Sequence, residues 1–180
     1  MFSDQENYLE NFVASIFAVV PDTNKKLVVS GDGRYWNDVA IQKIIKLAAG
    51  HGVTEVIVGE RGLLSTPAIS HQIRSLNAQE ETCFGAILLT ASHNPGGPEE
   101  DFGIKFNTPN GGPAPESITN AIFENTKTIS EFKTVATLPD VDLSVVAETT
   151  ARIGDADFKV SVIDNTDDYA FLMQRLFNFD

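Results

Sequence analysis

The chain has 180 residues, which suits a single domain with a sizeable core, and its 25 acidic and 13 basic residues give a net charge of −12. This acidic excess argues against a nucleic-acid backbone or an anionic lipid surface as a partner. No apolar run approaches the roughly 18 residues of a membrane-spanning helix, the start shows no signal-peptide pattern, and Cys83 is the only cysteine, so a cytoplasmic protein is predicted.

The first elements predicted from the apolar pattern are a helix and a strand. Apolar residues recur every three or four positions after the capping-box pair Ser3 and Glu6, which predicts a helix that ends before Pro21. The short apolar run 27–29 then predicts a buried strand that leads into the glycine-containing loop 31–36.

Two further helices and two further strands follow in alternation. Asn37 is the predicted cap of the second helix, and His51 lies at its predicted end. The apolar runs 56–59 and 85–90 predict two more buried strands, and the third helix is predicted to begin in the segment 65–67.

Short apolar strands that alternate with helices are typical of a parallel sheet that helices cover on both faces. We therefore expect an α/β fold with three α/β/α layers and a mixed, mainly parallel sheet, in which residues 1–180 form one domain. Ligands of such sheets bind at the carboxyl ends of the strands, so the loops 31–36 and 91–99 form the candidate site.

The second half of the chain is patterned less regularly, and it contains no internal repeat. Its predicted elements are a short strand at 102–106, a helix that begins at Pro115, an acidic connector over 133–156, a strand that includes 160–163, and a last helix that Asp164 or Asn165 caps and that ends near Phe177.

The most informative segment is the loop after the third strand, Thr90-Ala91-Ser92-His93-Asn94-Pro95-Gly96-Gly97-Pro98, which combines a hydroxyl, an imidazole and an amide with glycines. Its glycines let a backbone approach a ligand closely, so the loop can hold a phosphate or an oxyanion on backbone N–H groups. The alternative is an ordinary surface turn, because Ser, Asn, Pro and Gly are turn formers. A Ser92–His93 acyl-transfer dyad is disfavoured, since adjacent residues of an extended backbone point to opposite sides and no nucleophile-elbow motif is present.

Several segments of the chain, in the same order, resemble motifs of the α-D-phosphohexomutases, and of their phosphoglucomutase branch in particular. The phosphoserine loop of that family is similar to residues 90–98. The other matching segments are 31–34, 62–67, 101–107 and 110–116, with the sequences Gly-Asp-Gly-Arg, Gly-Leu-Leu-Ser-Thr-Pro, Asp-Phe-Gly-Ile-Lys-Phe-Asn and Asn-Gly-Gly-Pro-Ala-Pro-Glu.

The resemblance implies a role for five residues. Ser92 is the expected carrier of a transferable phosphoryl group, Lys105 the expected general base or acid for the sugar hydroxyl, and His93 an electrostatic aid. A phosphate oxygen on Ser92 is also an expected ligand of Mg²⁺. Arg34 and Asn94 are the expected contacts of the phosphorylated cofactor, glucose 1,6-bisphosphate.

The reaction that the resemblance implies interconverts glucose 1-phosphate and glucose 6-phosphate. Phosphorylated Ser92 donates its group to either sugar, glucose 1,6-bisphosphate forms and reorients, and the other phosphate returns to Ser92, so that one difficult transfer becomes two in-line steps. By pattern alone, Lys105 is more simply explained as a solvated strand residue. Arg34 is equally well explained as a residue that holds its own loop through Asp32 or neighbouring carbonyls.

Four other motifs of the family are absent from the sequence. Three of them are the metal-binding loop Asp-Gly-Asp-Gly-Asp-Arg, the sugar-binding loop Gly-Glu-x-Ser-Gly and the phosphate-binding loop of the fourth domain. The fourth is the amino-terminal Thr-Ser-Gly-x-Arg segment with the first strand. We therefore expect residues 1–180 to be the first domain of a phosphoglucomutase that needs the remaining mutase domains to act on a hexose phosphate. Alone, the chain is expected to be inactive and to self-associate through an exposed apolar face. The alternatives are a non-catalytic, mutase-like regulatory or interaction protein and a small phosphosugar-binding module.

Overall fold

The computed structural model describes residues 5–78, 80 and 82–179. The helices within these residues are α1 (Tyr8–Val19), α2 (Asn37–Gly50), α3 (Thr66–Leu76), α4 (Glu116–Thr126) and α5 (Asp167–Leu176). The strands are β1 (Lys26–Gly31), β2 (Glu55–Gly59), β3 (Cys83–Leu89), β4 (Ile104–Asn107), β5 (Glu148–Ile153) and β6 (Ala156–Ile163), and a single 3₁₀ turn (Glu60–Gly62) follows β2.

The strands form one sheet in the order β4-β3-β1-β2-β6-β5. The inner strands β3, β1, β2 and β6 run parallel to one another. The outer strands β4 and β5 each run antiparallel to their neighbour. The prediction of a mixed, mainly parallel sheet is therefore confirmed.

Two apolar clusters lie on opposite faces of this sheet. Along β1, Val29 belongs to the cluster that α1, α2 and α4 cover, and the adjacent Val28 belongs to the cluster that α3 and α5 cover. This follows from strand geometry, because successive side chains point to opposite faces. Both faces of β1, β2 and β3 are buried, which explains their largely apolar sequences and confirms the three α/β/α layers.

The starts of α1 and α2 differ from the prediction. The helix α1 begins at Tyr8, so Glu6 precedes it, and Ser3 lies outside the described residues. Asn37 is not the cap of α2 but its first residue, after Trp36. The Asn37 side chain is buried, and its Nδ2 donates a hydrogen bond to the carbonyl of Gly62 at 3.3 Å, so the side chain is held against the turn after β2.

Two predictions for the last third of the chain are also wrong. The acidic connector over 133–156 contains strand β5, whose side chains are mostly exposed and therefore show no apolar pattern. The cap of α5 is Thr166. Asp164 instead closes the preceding turn, where its Oδ1 accepts the backbone N–H groups of Thr166 and Asp167, each at 2.8 Å.

Candidate active site

The carboxyl ends of β1 and β3 lie side by side, because the two strands pair in parallel as far as Gly31 and Leu89. The loop 31–36 after β1 and the loop 90–103 after β3 therefore meet at one edge of the sheet. Strand β4 returns antiparallel to β3 and places Lys105 opposite Leu88, close to the second loop. The structure thus brings together the two loops in which the sequence analysis placed the site.

Ser92 and Lys105 are 13 positions apart in the sequence, yet their side chains are in contact. The Nζ atom of Lys105 donates a hydrogen bond to Ser92 Oγ at 3.1 Å, and both residues are exposed. The φ angle of Ser92 is 57°, in the left-handed region. The loop therefore turns at Ser92, whereas the argument against a Ser92–His93 dyad assumed an extended backbone. The hydroxyl of Ser92 is directed to Lys105.

Hydrogen bonds within the loop hold the backbone around Ser92. The Ser92 N–H donates to Thr90 Oγ1 at 3.0 Å, and that hydroxyl in turn donates to Asp32 Oδ2 at 2.7 Å. The Asn94 N–H donates to the carbonyl of Ala91 at 3.1 Å. The amides of Ser92 and Asn94 are thus used by the loop itself and do not contribute to the predicted phosphate-binding set of N–H groups.

Arg34 links the loop after β1 to the loop after β3. Its Nε and Nη2 atoms donate to the two Asp32 carboxylate oxygens at 2.9 and 2.8 Å. Its Nη1 and Nη2 atoms donate to the carbonyls of Asp101 at 2.6 Å and Ser92 at 3.2 Å. The Arg34 side chain is only 7% exposed. These contacts are those of a residue that holds the loop, and the role of Arg34 in cofactor binding stays a prediction.

The pair of Asp32 and Arg34 is charged on both sides. Burial raises the pKa of Asp32, but hydrogen bonds from Arg34 and Thr90 and the charge of Arg34 outweigh it, so the pKa lies below its ordinary value. The hydrogen bond to Asp32 raises the pKa of Arg34 further, against the opposing effect of burial. Asp32 therefore remains an acceptor for the Thr90 hydroxyl throughout the neutral pH range.

Further contacts close the two ends of the loop 90–103. The Asn94 amide donates to Asp101 Oδ2 at 2.8 Å, and the Thr90 N–H donates to the carbonyl of Gly103 at 2.9 Å. A Cβ atom at Gly103 would collide with the carbonyl of Thr90, so only glycine allows this approach. His93 lies exposed beside Ser92.

The described residues fit Mg²⁺ only in part. They contain no group of three or more His, Cys, Asp and Glu side chains that could hold a metal ion. Two carboxylates of the site are already engaged, Asp32 by Arg34 and Asp101 by Asn94. Ser92, the predicted ligand, is accessible.

The sequence analysis assigned no role to Thr90 or Asp101 and mentioned Asp32 only as a partner of Arg34. A signal for Thr90 and Asp32 was available, because both lie at the carboxyl ends of strands that were predicted to be buried and parallel. The role of Asp101 had no such signal, since its contact with Asn94 depends on the path of the loop.

A cavity of about 620 Å³ lies beside Asp32 and Thr90, between α3 and α5. Asp32 and Thr90 line it together with apolar residues that include Leu64 and Ile69, whereas Ser92 and Lys105 do not.

In the described part of the chain, no helix is long and apolar enough to cross a bilayer.

Comparison with known proteins gives consistent matches. Residues 2–133 match the family described as phosphoglucomutase/phosphomannomutase, alpha/beta/alpha domain I. The chain is 53% identical over 180 residues to the cytoplasmic phosphoglucomutase of Populus tremula, covering 98% of this chain and 31% of the relative. It is 47% identical over 182 residues to phosphoglucomutase 2 of Saccharomyces cerevisiae, covering 100% of this chain and 31% of the relative.

A solved structure matches the fold as well. It is that of the exocytosis-sensitive phosphoprotein pp63/parafusin, a phosphoglucomutase from Paramecium, in its open form. The TM-score is 0.93 at 47% sequence identity, and the match covers 99% of this chain and 33% of that one. The chain thus spans about a third of the length of these relatives.

Proposed function

Because this chain belongs to the phosphoglucomutase/phosphomannomutase family and matches its domain I, we propose that it is the phosphoserine-bearing domain of an enzyme that interconverts glucose 1-phosphate and glucose 6-phosphate through glucose 1,6-bisphosphate. The observation that carries this proposal is the 3.1 Å contact between Lys105 Nζ and the exposed Ser92 Oγ. It pairs a hydroxyl that can accept a phosphoryl group with an ammonium group that can donate a proton to Oγ, take up another as the amine, and neutralise phosphoryl charge.

In the proposed step, the free hydroxyl of the hexose phosphate attacks the phosphorus on Ser92. The bond between phosphorus and the sugar oxygen forms, the bond between phosphorus and Oγ breaks, and the proton of the sugar hydroxyl passes to Oγ. Lys105 would relay that proton, because its Nζ lies within hydrogen-bond distance of Oγ. The second transfer runs in the opposite direction from the reoriented bisphosphate.

The neighbouring residues would support this chemistry from the loop. His93 is exposed next to Ser92, where its imidazole would assist electrostatically. Arg34 and Asn94 would face the phosphates of the bisphosphate. The positive charge of Arg34 is offset by its ion pair with Asp32. Both residues also hold the loop, so their contribution to binding would be smaller than that of an unpaired cation.

A phosphoryl oxygen on Ser92 is a hard donor of the kind that Mg²⁺ prefers. When bound, Mg²⁺ would neutralise charge on the phosphoryl oxygens. The ligands that complete such a site would come from outside the described residues, which contain no sufficient cluster of their own. The role of this chain would be to present the oxygen of Ser92 on a fixed backbone.

The remaining mutase domains are the proposed partners of this chain. Large apolar side chains are exposed on α5 and just after it, namely Phe171, Leu176, Phe177 and Phe179. Such a surface would be covered by the other domains in a full-length enzyme and would favour self-association of the chain alone. The name of the relative from Populus tremula supports a cytoplasmic location.

One observation favours keeping a second function, a mutase-like regulatory or interaction protein. The structural relative from Paramecium is described as an exocytosis-sensitive phosphoprotein as well as a phosphoglucomutase. In this case Ser92 would be a phosphorylation site without turnover of hexose phosphates.

The two functions are separated by a serine substitution in the full-length protein that carries this domain. Ser92→Ala is expected to abolish conversion of glucose 1-phosphate to glucose 6-phosphate, because the acceptor oxygen is lost. Ser117→Ala, at an exposed position of α4, is the matched control and is expected to leave the rate unchanged. Full activity of Ser92→Ala would overturn the proposal, and a wild-type protein without mutase activity would favour the second function.

A further inference from the structure

We propose that Thr90, Asp32 and Arg34 form a positioning network that fixes the backbone at Ser92 and thereby directs its hydroxyl to Lys105. This inference rests on the proposed phosphoryl transfer by Ser92 and adds the residues that would make its geometry reproducible. Among the described residues, the hydrogen bonds of these three side chains do not include one to the Ser92 hydroxyl. They act on the peptide groups on either side of it.

Ser92 needs such support because of its backbone conformation. Its φ angle of 57° lies in the left-handed region, which residues with a Cβ atom other than Asn and Asp rarely adopt. A conformation of this kind persists only where the surrounding structure determines it. Without support, relaxation of φ would swing the Cα–Cβ bond and move Oγ away from Lys105 Nζ.

The network holds both peptide groups that flank the Ser92 Cα atom. On the amino side, Thr90 Oγ1 accepts the Ser92 N–H at 3.0 Å. On the carboxyl side, Arg34 Nη2 donates to the Ser92 carbonyl at 3.2 Å. Restraint of both peptide groups limits rotation about φ and ψ together, which neither contact achieves alone.

Asp32 joins the two halves of this restraint. It accepts the Thr90 hydroxyl at 2.7 Å and the Arg34 Nη2 group at 2.8 Å. A hydroxyl has one proton, so the bond to Asp32 turns a lone pair of Thr90 Oγ1 toward the Ser92 N–H. Asp32 therefore determines the direction of the Thr90 hydroxyl and the placement of the Arg34 guanidinium.

The network is built on the ends of two paired strands. The Asp32 N–H donates to the carbonyl of Leu89 at 3.2 Å, and the Thr90 N–H donates to that of Gly103 at 2.9 Å. The Arg34 side chain is 7% exposed, so little freedom remains for it. Groups that are fixed in this way by a sheet position a reactive side chain more closely than a free loop would.

The test removes the Thr90 hydroxyl in the full-length protein while keeping the shape of the side chain. Thr90→Val is expected to lower kcat about 10- to 100-fold, because a displacement on the order of 1 Å has a cost of this size. The KM for glucose 1-phosphate is expected to stay unchanged, since Thr90 itself has no proposed contact with the sugar or its phosphate. Thr90→Ser, which restores the hydroxyl, is expected to recover most of the rate. Thr150→Val, on the exposed strand β5, is the matched control.

A Thr90→Val enzyme with the wild-type kcat would overturn the proposal, and so would a Thr90→Ser enzyme as slow as Thr90→Val. Amide hydrogen exchange of Ser92 gives a second readout that does not depend on activity and is expected to be faster in Thr90→Val than in the wild type. If the wild type shows no mutase activity, the proposed function fails, and the exchange rates alone decide on the network. If Thr90→Val does not fold, Asp32→Asn is expected to show the same losses, and its failure to do so would overturn the inference.

Discussion

Glu55 is a buried carboxylate at the amino-terminal end of β2, at the opposite edge of the sheet from the candidate active site. Its side chain is 9% exposed and contacts Lys26 at 3.1 Å and Lys159 at 3.3 Å. Ser161 donates a hydrogen bond to it at 2.6 Å. Burial raises the pKa of Glu55, but the hydrogen bonds from Ser161 and Lys26 and the charges of both lysines outweigh it, so the pKa lies below its ordinary value.

The depressed pKa of Glu55 predicts how the stability of the domain depends on pH. A carboxylate whose pKa is lower in the folded state stabilises the fold above its unfolded pKa, about 4.3 for glutamate, and this contribution is lost as the pH falls through the folded value. Glu55→Gln is expected to lower the free energy of unfolding by about 1–3 kcal/mol at neutral pH and to make it less sensitive to acid. Urea unfolding of the chain at a series of pH values measures both effects.

Glu148→Gln is the matched control for this experiment. Glu148 also contacts Lys159, at 3.1 Å, but its side chain is 67% exposed, and an exposed ion pair contributes little. The control is expected to unfold like the wild type at every pH. A Glu55→Gln chain that loses stability toward acid as steeply as the wild type would show that Glu55 does not contribute in this way.

At the scale of elements, the sequence was most informative where strands are buried on both faces. The inner strands β1, β2 and β3 are continuous apolar runs, so their existence and their parallel pairing were predictable. Strand β5 was missed because it lies at the edge of the sheet with mostly exposed side chains. The sequence Gly154-Asp155 between β5 and β6 was a usable hairpin signal, and Gly154 does adopt a left-handed conformation.

The candidate pair Ser92 and Lys105 was selected on a different signal. Ser92 and Lys105 were identified through resemblance to a family, because neither spacing nor composition brings a serine and a lysine 13 positions apart into contact. That contact requires β4 to return beside β3. The link from Thr90 to Asp32 likewise depends on which strands are neighbours, since it joins residues 58 positions apart.

The helix α5 illustrates a limit of pattern analysis at the same scale. Its position near the end of the chain was predicted, but none of its residues is buried among those described. Phe171 and Leu176 are exposed although they are large and apolar. Their pattern indicates a helix with an apolar surface, and it encodes nothing about a partner for that surface.

At the scale of the whole molecule, the chain contains, among its described residues, no cluster of side chains that could hold a metal ion. It presents Ser92 and Lys105 on an open, exposed edge, and it spans about a third of the length of its relatives. Water exclusion and full neutralisation of phosphoryl charge would need additional groups.

We therefore expect the 180-residue chain alone to show negligible mutase turnover, although it retains the reactive pair. A coupled assay of glucose 6-phosphate formation, run beside the full-length protein at equal concentration, measures this. Robust turnover by the purified chain, with contaminating mutase excluded by the inactivity of a Ser92→Ala chain prepared in the same way, would contradict the expectation.

The most direct test of the central claim is the mass of the intact full-length protein after incubation with glucose 1,6-bisphosphate. We predict a gain of one phosphoryl group that maps to Ser92 and is absent from the Ser92→Ala protein. Glucose 1-phosphate or glucose 6-phosphate is expected to remove this group. An unchanged mass, or a phosphoryl group that persists in the Ser92→Ala protein, would contradict it.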